Sequence, residues 1–218
     1  MSGVKLVYFN GRGKAELIRL ALTYVGIEFE EVYLKEKSEI EKLRSDGDLL
    51  FQQVPLLEID GKRIVQSGAI LRYLARRGGI YGNNNDESTR IDELFEGTRD
   101  FCGPLLGMIF RPEEDVLKEA KEKLLPRYLP VFNKVLEETG SGYLVGKSLT
   151  LADLGLIEPL LILVEYLGDQ VLTGYPQLQS FYKNITSDEK IASFLVGPHR
   201  KPKNDQAYVD TVRRVLNW

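Results

Sequence analysis

The stretch that decides the fold of this chain is FQQVPLLEIDGKRIVQSG, at residues 51–68. Two short apolar runs, Pro55–Ile59 and Lys62–Val65, flank the dipeptide Asp60-Gly61. A dipeptide of this kind between two such runs is typical of a β-hairpin, because both of its residues accept the positive φ angles of the turn. Ser67 then precedes apolar residues at helical spacing. The stretch therefore predicts two antiparallel strands with a helix directly after them.

The residues before this stretch alternate between strand and helix signals. Val4–Phe9 is an apolar run with β-branched and aromatic residues, which predicts a buried strand. A helical pattern begins at Ala15. Phe29–Leu34 predicts a second strand, and Ser38–Arg44 predicts a short polar helix capped by its first serine. The predicted order is βαβαββα, which makes a small α/β domain of residues 1–80.

The rest of the chain is helical in pattern. A linker rich in Gly and Asn at residues 78–86 leads into two long predicted helices, Glu87–Phe110 and Glu113–Glu138. A third core helix begins at Thr150, with Asp three residues later as part of a capping box, and shorter helices follow. An all-α domain over residues 86–218 is the prediction.

The composition excludes several classes of function. The net charge of −3 leaves no broad basic surface for nucleic acid or anionic lipid. Cys102 is the only cysteine and His199 the only histidine, so we expect no disulfide, metal site or Ser-His-Asp triad. No run reaches the roughly 18 apolar residues of a membrane span, and the start of the chain lacks the pattern of a secretory signal. We expect a cytoplasmic protein without bound metal.

Several motifs resemble those of one enzyme family, the glutathione transferases with a catalytic tyrosine, and of its alpha class in particular. They are YFNGRGK (8–14), FQQVPLLEIDG (51–61), VQS (65–67), YLVG (143–146), LTLAD (149–153) and RKP (200–202). The resemblance covers nearly the whole chain and implies the cytosolic glutathione transferase fold, with a thioredoxin-like domain that binds glutathione and an all-α domain. It also implies a homodimer that uses glutathione as co-substrate and attacks hydrophobic electrophiles with its thiolate. Peroxidase or isomerase side activity is expected too.

The resemblance assigns the main catalytic role to Tyr8, at the end of the first predicted strand. A free thiol has a pKa of roughly 8.5, so only a few per cent of it is thiolate near neutrality. A hydroxyl that bonds the charged sulfur better than the neutral one lowers that pKa. Lys14 stands where the alpha class usually carries arginine; it keeps the charge but loses the planar set of donors. Whether Lys14 shares in catalysis or is a solvated lysine at a helix start is left open.

Two segments are implied to hold the γ-glutamyl and cysteinyl parts of glutathione. Val54-Pro55 resembles the cis-proline turn of thioredoxin-like folds, which presents the backbone of Val54 to the cysteinyl part; a trans proline opening an edge strand is the alternative. Gln66 and Ser67 lie where a helix begins, and unpaired backbone N–H groups at that place suit a carboxylate. Ser67 also suits the role of helix cap.

Further positions match the family at the glycyl end of the tripeptide and at the dimer interface. Gln53 and Arg44 match residues that contact the glycyl end. Asp100 and Arg127 match residues that reach the glutathione bound by the partner subunit. Phe51 matches an aromatic side chain that enters a pocket between helices of the partner, although a core phenylalanine is the simpler interpretation.

An apolar acceptor site is expected, because the family's substrates are hydrophobic. The candidates are Phe9, Gly11, Leu106, Met108, Phe110, Tyr208, Val209, Val212, Leu216 and Trp218. Gly11 is expected to widen this site, since many relatives carry a larger residue there. The amphipathic C-terminal stretch is either a mobile lid over the site or a permanently packed tail.

Three other functions remain as alternatives at this point. A non-catalytic carrier of the ligandin kind, or a structural lens-type relative, would keep the fold without the reaction. A thiol transferase of the cysteine type would need a cysteine near Tyr8, and Cys102 lies far along the chain. The segment Gly13-Lys14-Ala15-Glu16 leans toward the sigma class, which leaves a prostaglandin-isomerase-like role as a distant alternative.

Overall fold

The predicted order βαβαββα is present in the computed structural model, which describes residues 3–217. The elements are β1 (Val4–Tyr8), α1 (Glu16–Tyr24), β2 (Phe29–Tyr33), α2 (Lys37–Ser45), β3 (Leu56–Ile59), β4 (Lys62–Val65) and α3 (Ser67–Arg77). A 3-10 turn at Gly13–Ala15 precedes α1. Helix α2 begins earlier than predicted, because its N-cap is Glu36 rather than Ser38. Glu39 completes this cap by accepting a hydrogen bond from the backbone N–H of Glu36 at 2.9 Å.

The four strands form one mixed sheet in the order β2-β1-β3-β4. Strand β1 is parallel to β2 and antiparallel to β3, so it lies inside the sheet. The turn between β3 and β4 has Asp60 at φ 51° and Gly61 at φ 72°, which are the positive angles that this dipeptide predicts. The register pairs Leu56 with Val7 on one side and with Val65 on the other. The end of β1, the start of β3 and the end of β4 therefore lie at one end of the sheet.

The C-terminal residues group with the sheet. One compact unit comprises the chain up to Leu74 together with the residues from Val196 onward, and the other unit is Ala75–Leu195. The sequence placed a single boundary at residues 80–86 and assigned the tail to the helical domain. The tail joins the first unit through charged contacts such as the ion pair between Lys201 and Glu31, whose atoms are 2.8 Å apart.

The second unit consists of helices. They are α4 (Asn85–Leu106), α5 (Glu113–Glu119), α6 (Leu125–Thr139), α7 (Leu151–Leu167), α8 (Pro176–Thr186) and α9 (Glu189–Val196). The last residue of α9 already belongs to the first unit, and so does the helix that follows, α10 (Gln206–Leu216). Helices α4 and α7 approach closely at Gly155, where a Cβ would lie 2.8 Å from the ring of Phe95. The single helix predicted from residue 113 to 138 is interrupted by a π-helical turn at Ala120–Leu124. Pro126 follows this turn and has no N–H with which to continue the α-helical hydrogen bonds there.

The start of α7 is held by the predicted capping box. Asp153 is completely buried and accepts hydrogen bonds from the backbone N–H of Thr150 at 2.7 Å and from its hydroxyl at 2.8 Å. A third bond comes from the backbone N–H of Leu144 at 2.8 Å. Asp153 therefore ties the loop before α7 to the helix, and all three donors would lack an acceptor without it.

We predict that Asp153→Ala lowers the free energy of unfolding by about 3 kcal/mol, because it leaves several buried donors without a partner. The matched control is Asp188→Ala, which removes a partly exposed cap that accepts from the N–H groups of Lys190 and Ile191. That loss is expected to be only about 1 kcal/mol. Urea unfolding at one fixed protein concentration measures both. Equal losses in the two variants would contradict the special role of the buried carboxylate.

Candidate active site

Tyr8 is the last residue of β1, and its hydroxyl turns back toward the start of α1. The side chain is buried, and the hydroxyl oxygen accepts a hydrogen bond from the backbone N–H of Lys14 at 3.1 Å. Gly13 makes this approach possible. A Cβ on Gly13 would lie 2.5 Å from the Tyr8 hydroxyl oxygen, and its φ of 41° also disfavours a side chain. The motif thus brings a phenol to a backbone donor at a helix start.

The surroundings of Tyr8 keep its hydroxyl protonated. Burial raises the pKa of Tyr8 above its usual value, while hydrogen bonds from Lys14 and Tyr208 and the charge of Arg19 work in the opposite direction. The balance leaves a neutral phenol at neutral pH. A neutral hydroxyl in a desolvated position is a hydrogen-bond donor for an anion, and such a bond is stronger than one between neutral groups.

Arg19 holds the loop between β1 and α1 and was missed by the sequence analysis. Its side chain is completely buried in α1, and its guanidinium donates to the carbonyl oxygens of Gly11 at 2.8 Å and Phe9 at 3.3 Å. It also pairs with Glu31 at 2.6 Å and with Glu16 at 3.1 Å. The available signal was an arginine inside the apolar run LIRLAL at residues 17–22. A charge in such a run indicates a buried, paired group.

Four of the positions predicted to bind glutathione, Val54, Pro55, Gln66 and Ser67, lie at the same end of the sheet as Tyr8. The Val54–Pro55 bond is cis, as the motif implied, and directly precedes β3. Gln66 directly follows β4 with φ 70°, and Ser67 is buried at the start of α3. In the strand order β2-β1-β3-β4, both segments lie on the β3 side of Tyr8.

Arg44 and Gln53 lie on either side of the loop that leads to β3. The guanidinium Nε of Arg44 donates to the backbone carbonyl of Gln52 at 3.1 Å, and Gln52 has φ 60°. Gln53 is exposed. Phe51 in the same loop is 58% exposed, so it is not the core phenylalanine of the simpler interpretation. Arg44 thus supports the loop that carries Phe51.

The C-terminal helix places Tyr208 beside Tyr8. Asp205 caps α10 by accepting from the backbone N–H of Tyr208 at 2.9 Å. The Tyr208 hydroxyl lies beside that of Tyr8, because a Cβ on Gly13 would be 2.5 Å from the Tyr8 oxygen and 2.8 Å from the Tyr208 oxygen. The Tyr208 ring would overlap any Cβ on Gly11. The Tyr208 ring occupies the space that a side chain at Gly11 would take, and both residues line a cavity of about 600 Å³ in the first unit. Trp218 lies outside the described residues.

The other acceptor candidates differ in exposure. In the first unit Phe9, Val209 and Val212 are buried, whereas Leu216 is partly exposed. In the second unit Met108 is buried, Leu106 is partly exposed and Phe110 is 39% exposed. These candidates belong to two units, and their assignment to one acceptor site stays a prediction.

Helices α4 and α6 of the second unit border an apolar cavity of about 300 Å³. It is lined by Arg90, Glu93, Leu94, Gly97, Arg127, Tyr128, Val131, Phe132 and Val135. Val131 is 54% exposed at this cavity. Arg127 is exposed, and its guanidinium lies 5.0 Å from the centre of the Tyr128 ring. Asp100 is also exposed and lies on α4. The resemblance implied a pocket between helices for the partner's Phe51, but it did not say which helices line it.

Residues 3–217 contain neither a helix suited to crossing a membrane nor a cluster of metal ligands. None of the helices in this range has both the length and the apolar character needed to cross a membrane. The same part of the chain contains no group of three or more His, Cys, Asp or Glu side chains suited to a metal ion.

Comparison with known proteins gives consistent matches. The N-terminal domain model of glutathione S-transferases matches residues 4–76, and the C-terminal domain model matches residues 99–197. Glutathione S-transferase 3 of Gallus gallus is 46% identical over 97% of this chain and 93% of that protein. Glutathione S-transferase alpha-4 of Rattus norvegicus is 44% identical over 98% of each. The crystal structure of monomeric Na-GST-3, a glutathione S-transferase of Necator americanus, has a TM-score of 0.79 and 31% identity over 94% of this chain and 100% of that one.

These matches agree with the fold. Both domain models match in the order in which the sheet and the helices follow each other along the chain. Relatives named as alpha-class transferases extend over nearly the whole length. The family uses glutathione as its co-substrate. The chain therefore belongs to the glutathione S-transferase family, as an enzyme of its alpha class.

Proposed function

We propose that Tyr8 donates a hydrogen bond to the sulfur of bound glutathione, and that the thiolate so stabilised attacks hydrophobic electrophiles. The observation that carries this proposal is a buried phenol that keeps its proton, beside a helix start and at the end of the sheet. Such a donor stabilises the thiolate more than the thiol and lowers the thiol pKa. Each unit of lowering requires about 1.4 kcal/mol of differential stabilisation.

Lys14 supports this step mainly through its backbone. Its N–H donates to the Tyr8 oxygen, while its side chain is exposed. The backbone bond directs the phenol oxygen, and the ammonium adds a positive charge at the start of α1. A lysine meets both requirements, since neither needs the planar set of donors that arginine carries.

The tripeptide is held by the segments before β3 and after β4, which lie at the same end of the sheet as Tyr8. Val54, preceding Pro55, pairs with the cysteinyl part, and the N–H groups at Gln66 and Ser67 receive the γ-glutamyl carboxylate. Gln53 and Arg44 contact the glycyl end. Fixing glutathione in this way brings its sulfur to Tyr8 and to an electrophile in the same site, so that proximity adds to the lowered thiol pKa. Phe9, Tyr208, Val209 and Val212 supply apolar surface for the electrophile.

Cys102 does not support the alternative of a cysteine-type thiol transferase. It is buried, and burial together with the nearby carboxylate of Glu158 raises the pKa of its thiol well above the usual value. A buried thiol that keeps its proton is a poor nucleophile.

We propose further that the enzyme is a homodimer in which Phe51 enters the cavity between α4 and α6 of the partner subunit. An exposed aromatic side chain and an apolar cavity of suitable size occur in the same chain. Arg127 lines this cavity, and Asp100 lies on one of its helices, which supports their contact with the glutathione of the partner subunit. Because the Necator americanus relative is described as monomeric, the proposal rests on this chain's own surface.

We predict that Tyr8→Phe lowers turnover with a chloronitrobenzene by about 10- to 100-fold, which is the range for losing a hydrogen bond to a charged group. Glutathione affinity should change only a few-fold, because the rest of the tripeptide keeps its contacts. Tyr73→Phe is the matched control, since it removes an exposed phenol bond to Asp60. Unchanged turnover in Tyr8→Phe would remove the role assigned to this hydroxyl.

We predict that Phe51→Ala weakens the dimer about 30-fold or more, corresponding to the roughly 2 kcal/mol of a buried aromatic anchor. Gly97→Leu should have a similar effect from the other side, because it fills the cavity while favouring the helix. Val196→Ala, at an apolar residue that is 89% exposed, is the control. Sedimentation over a range of concentrations measures the dissociation constant. A dimer unaffected by both Phe51→Ala and Gly97→Leu would show that another surface holds the subunits together.

A further inference from the structure

Two phenol groups meet beside Gly13. The Tyr8 hydroxyl accepts a hydrogen bond from the backbone N–H of Lys14, and the hydroxyl of Tyr208 lies next to it. A Cβ on Gly13 would lie 2.5 Å from the Tyr8 hydroxyl oxygen and 2.8 Å from that of Tyr208. The sequence analysis assigned Tyr208 only to the apolar acceptor site. Its hydroxyl, however, contacts the residue that acts on the sulfur.

The position of Tyr208 is determined by its own packing and by its helix. The side chain is only 7% exposed, and its ring meets the Phe9 ring edge to face with the centres 6.4 Å apart. Gly11 leaves room for the ring, since any Cβ there would overlap it. Arg214 anchors the same helix by donating to the carbonyl of Lys35 at 2.9 Å. The hydroxyl is thus presented to Tyr8 by a constrained side chain.

The hydrogen bonds of Tyr8 can be counted. A phenol oxygen has one proton to donate and two lone pairs that accept. If the Tyr8 proton is directed at a thiolate, as the proposed function requires, Tyr208 cannot receive that proton and must be a donor. The two lone pairs of Tyr8 then accept from the N–H of Lys14 and the hydroxyl of Tyr208. Bonds arranged in series in this way polarise and strengthen one another.

We propose that Tyr208 is a positioning residue for the reaction: its hydroxyl donates to the Tyr8 oxygen and so strengthens the hydrogen bond from Tyr8 to the glutathione thiolate. This inference rests on the proposed role of Tyr8. It gives the C-terminal helix a part in ionising glutathione before any electrophile binds. The helix therefore acts on the nucleophile as well as bordering the acceptor site.

Burial keeps the hydroxyl of Tyr208 protonated, so that it can act as a donor. Burial raises the pKa of Tyr208 far above its usual range, and the neighbouring Tyr8 and the carboxylate of Glu16 act in the same direction. The charge of Arg19 opposes them but does not reverse the effect. The hydroxyl of Tyr208 accordingly carries its proton throughout the titration of the bound thiol.

The test is a pH titration of the complex with glutathione alone, followed by the ultraviolet absorbance of the thiolate after subtraction of the free enzyme. Tyr208→Phe keeps the ring and removes only the hydroxyl. We expect the pKa of the bound thiol to rise by roughly half a unit to one unit, a three- to tenfold loss of thiolate at pH values below that pKa. Tyr73→Phe should leave the titration unchanged, and circular dichroism verifies the fold of each variant.

The outcomes separate the possible roles of Tyr208. An unchanged thiol pKa in Tyr208→Phe overturns the proposal. This holds even if turnover falls with particular electrophiles, because the Tyr208 hydroxyl would then act on the electrophile and not on the thiolate. Tighter glutathione binding with an unchanged thiol pKa also overturns it, because Tyr208 would then compete with the sulfur for Tyr8. Tyr8→Phe shows whether the proposed function of Tyr8 fails or only the role proposed for Tyr208. If Tyr8→Phe leaves the thiol pKa unchanged, the proposed function itself fails; if only Tyr208→Phe does so, the function stands without the relay.

Discussion

The buried guanidinium of Arg19 is the interaction on which the arrangement around Tyr8 depends. It joins the carbonyl oxygens of the loop after β1 to the carboxylates of Glu16 and Glu31. Glu31 in turn pairs with the ammonium of Lys201 at 2.8 Å. Burial by itself would raise the pKa of Glu31, but the bond from Lys201 and the charge of Arg19 bring this pKa below its usual value. A buried charge is costly unless it is paired. The loop, α1 and the C-terminal tail are therefore held by one connected set of charges.

The same network explains why the C-terminal tail groups with the sheet. Arg200 donates to Glu16 at 2.9 Å, and the ring of His199 stacks on Phe29 of β2. These contacts bring the chain back to the first unit shortly before α10 begins. Helix α10 then presents Tyr208 to the site that β1 and α1 have built. Tyr8 and Tyr208 therefore come from opposite ends of the chain.

Two glycines shape the site by lacking side chains. Gly13 lets the hydroxyl of Tyr8 reach the backbone N–H of Lys14, and Gly11 leaves space for the ring of Tyr208. Neither residue brings a functional group of its own. Their effect is to let hydroxyl groups approach the backbone and each other, which a Cβ at either position would prevent. The chemistry of the site thus depends on the shape of the loop as much as on the side chains of Tyr8 and Tyr208.

The sequence by itself determined the order of the elements, the hairpin at Asp60-Gly61, the capping box at Thr150 and the position of Tyr8 at a strand end. These features are local, because turn angles, helix caps and hydrophobic periods are set by residues a few positions apart. Only the tertiary structure decided the burial of Arg19, the cavity between α4 and α6, the grouping of the tail with the sheet and the meeting of the Tyr8 and Tyr208 hydroxyls. Each of these depends on residues that are distant in the chain or on packing between helices, and a local pattern carries no information about which distant groups will meet.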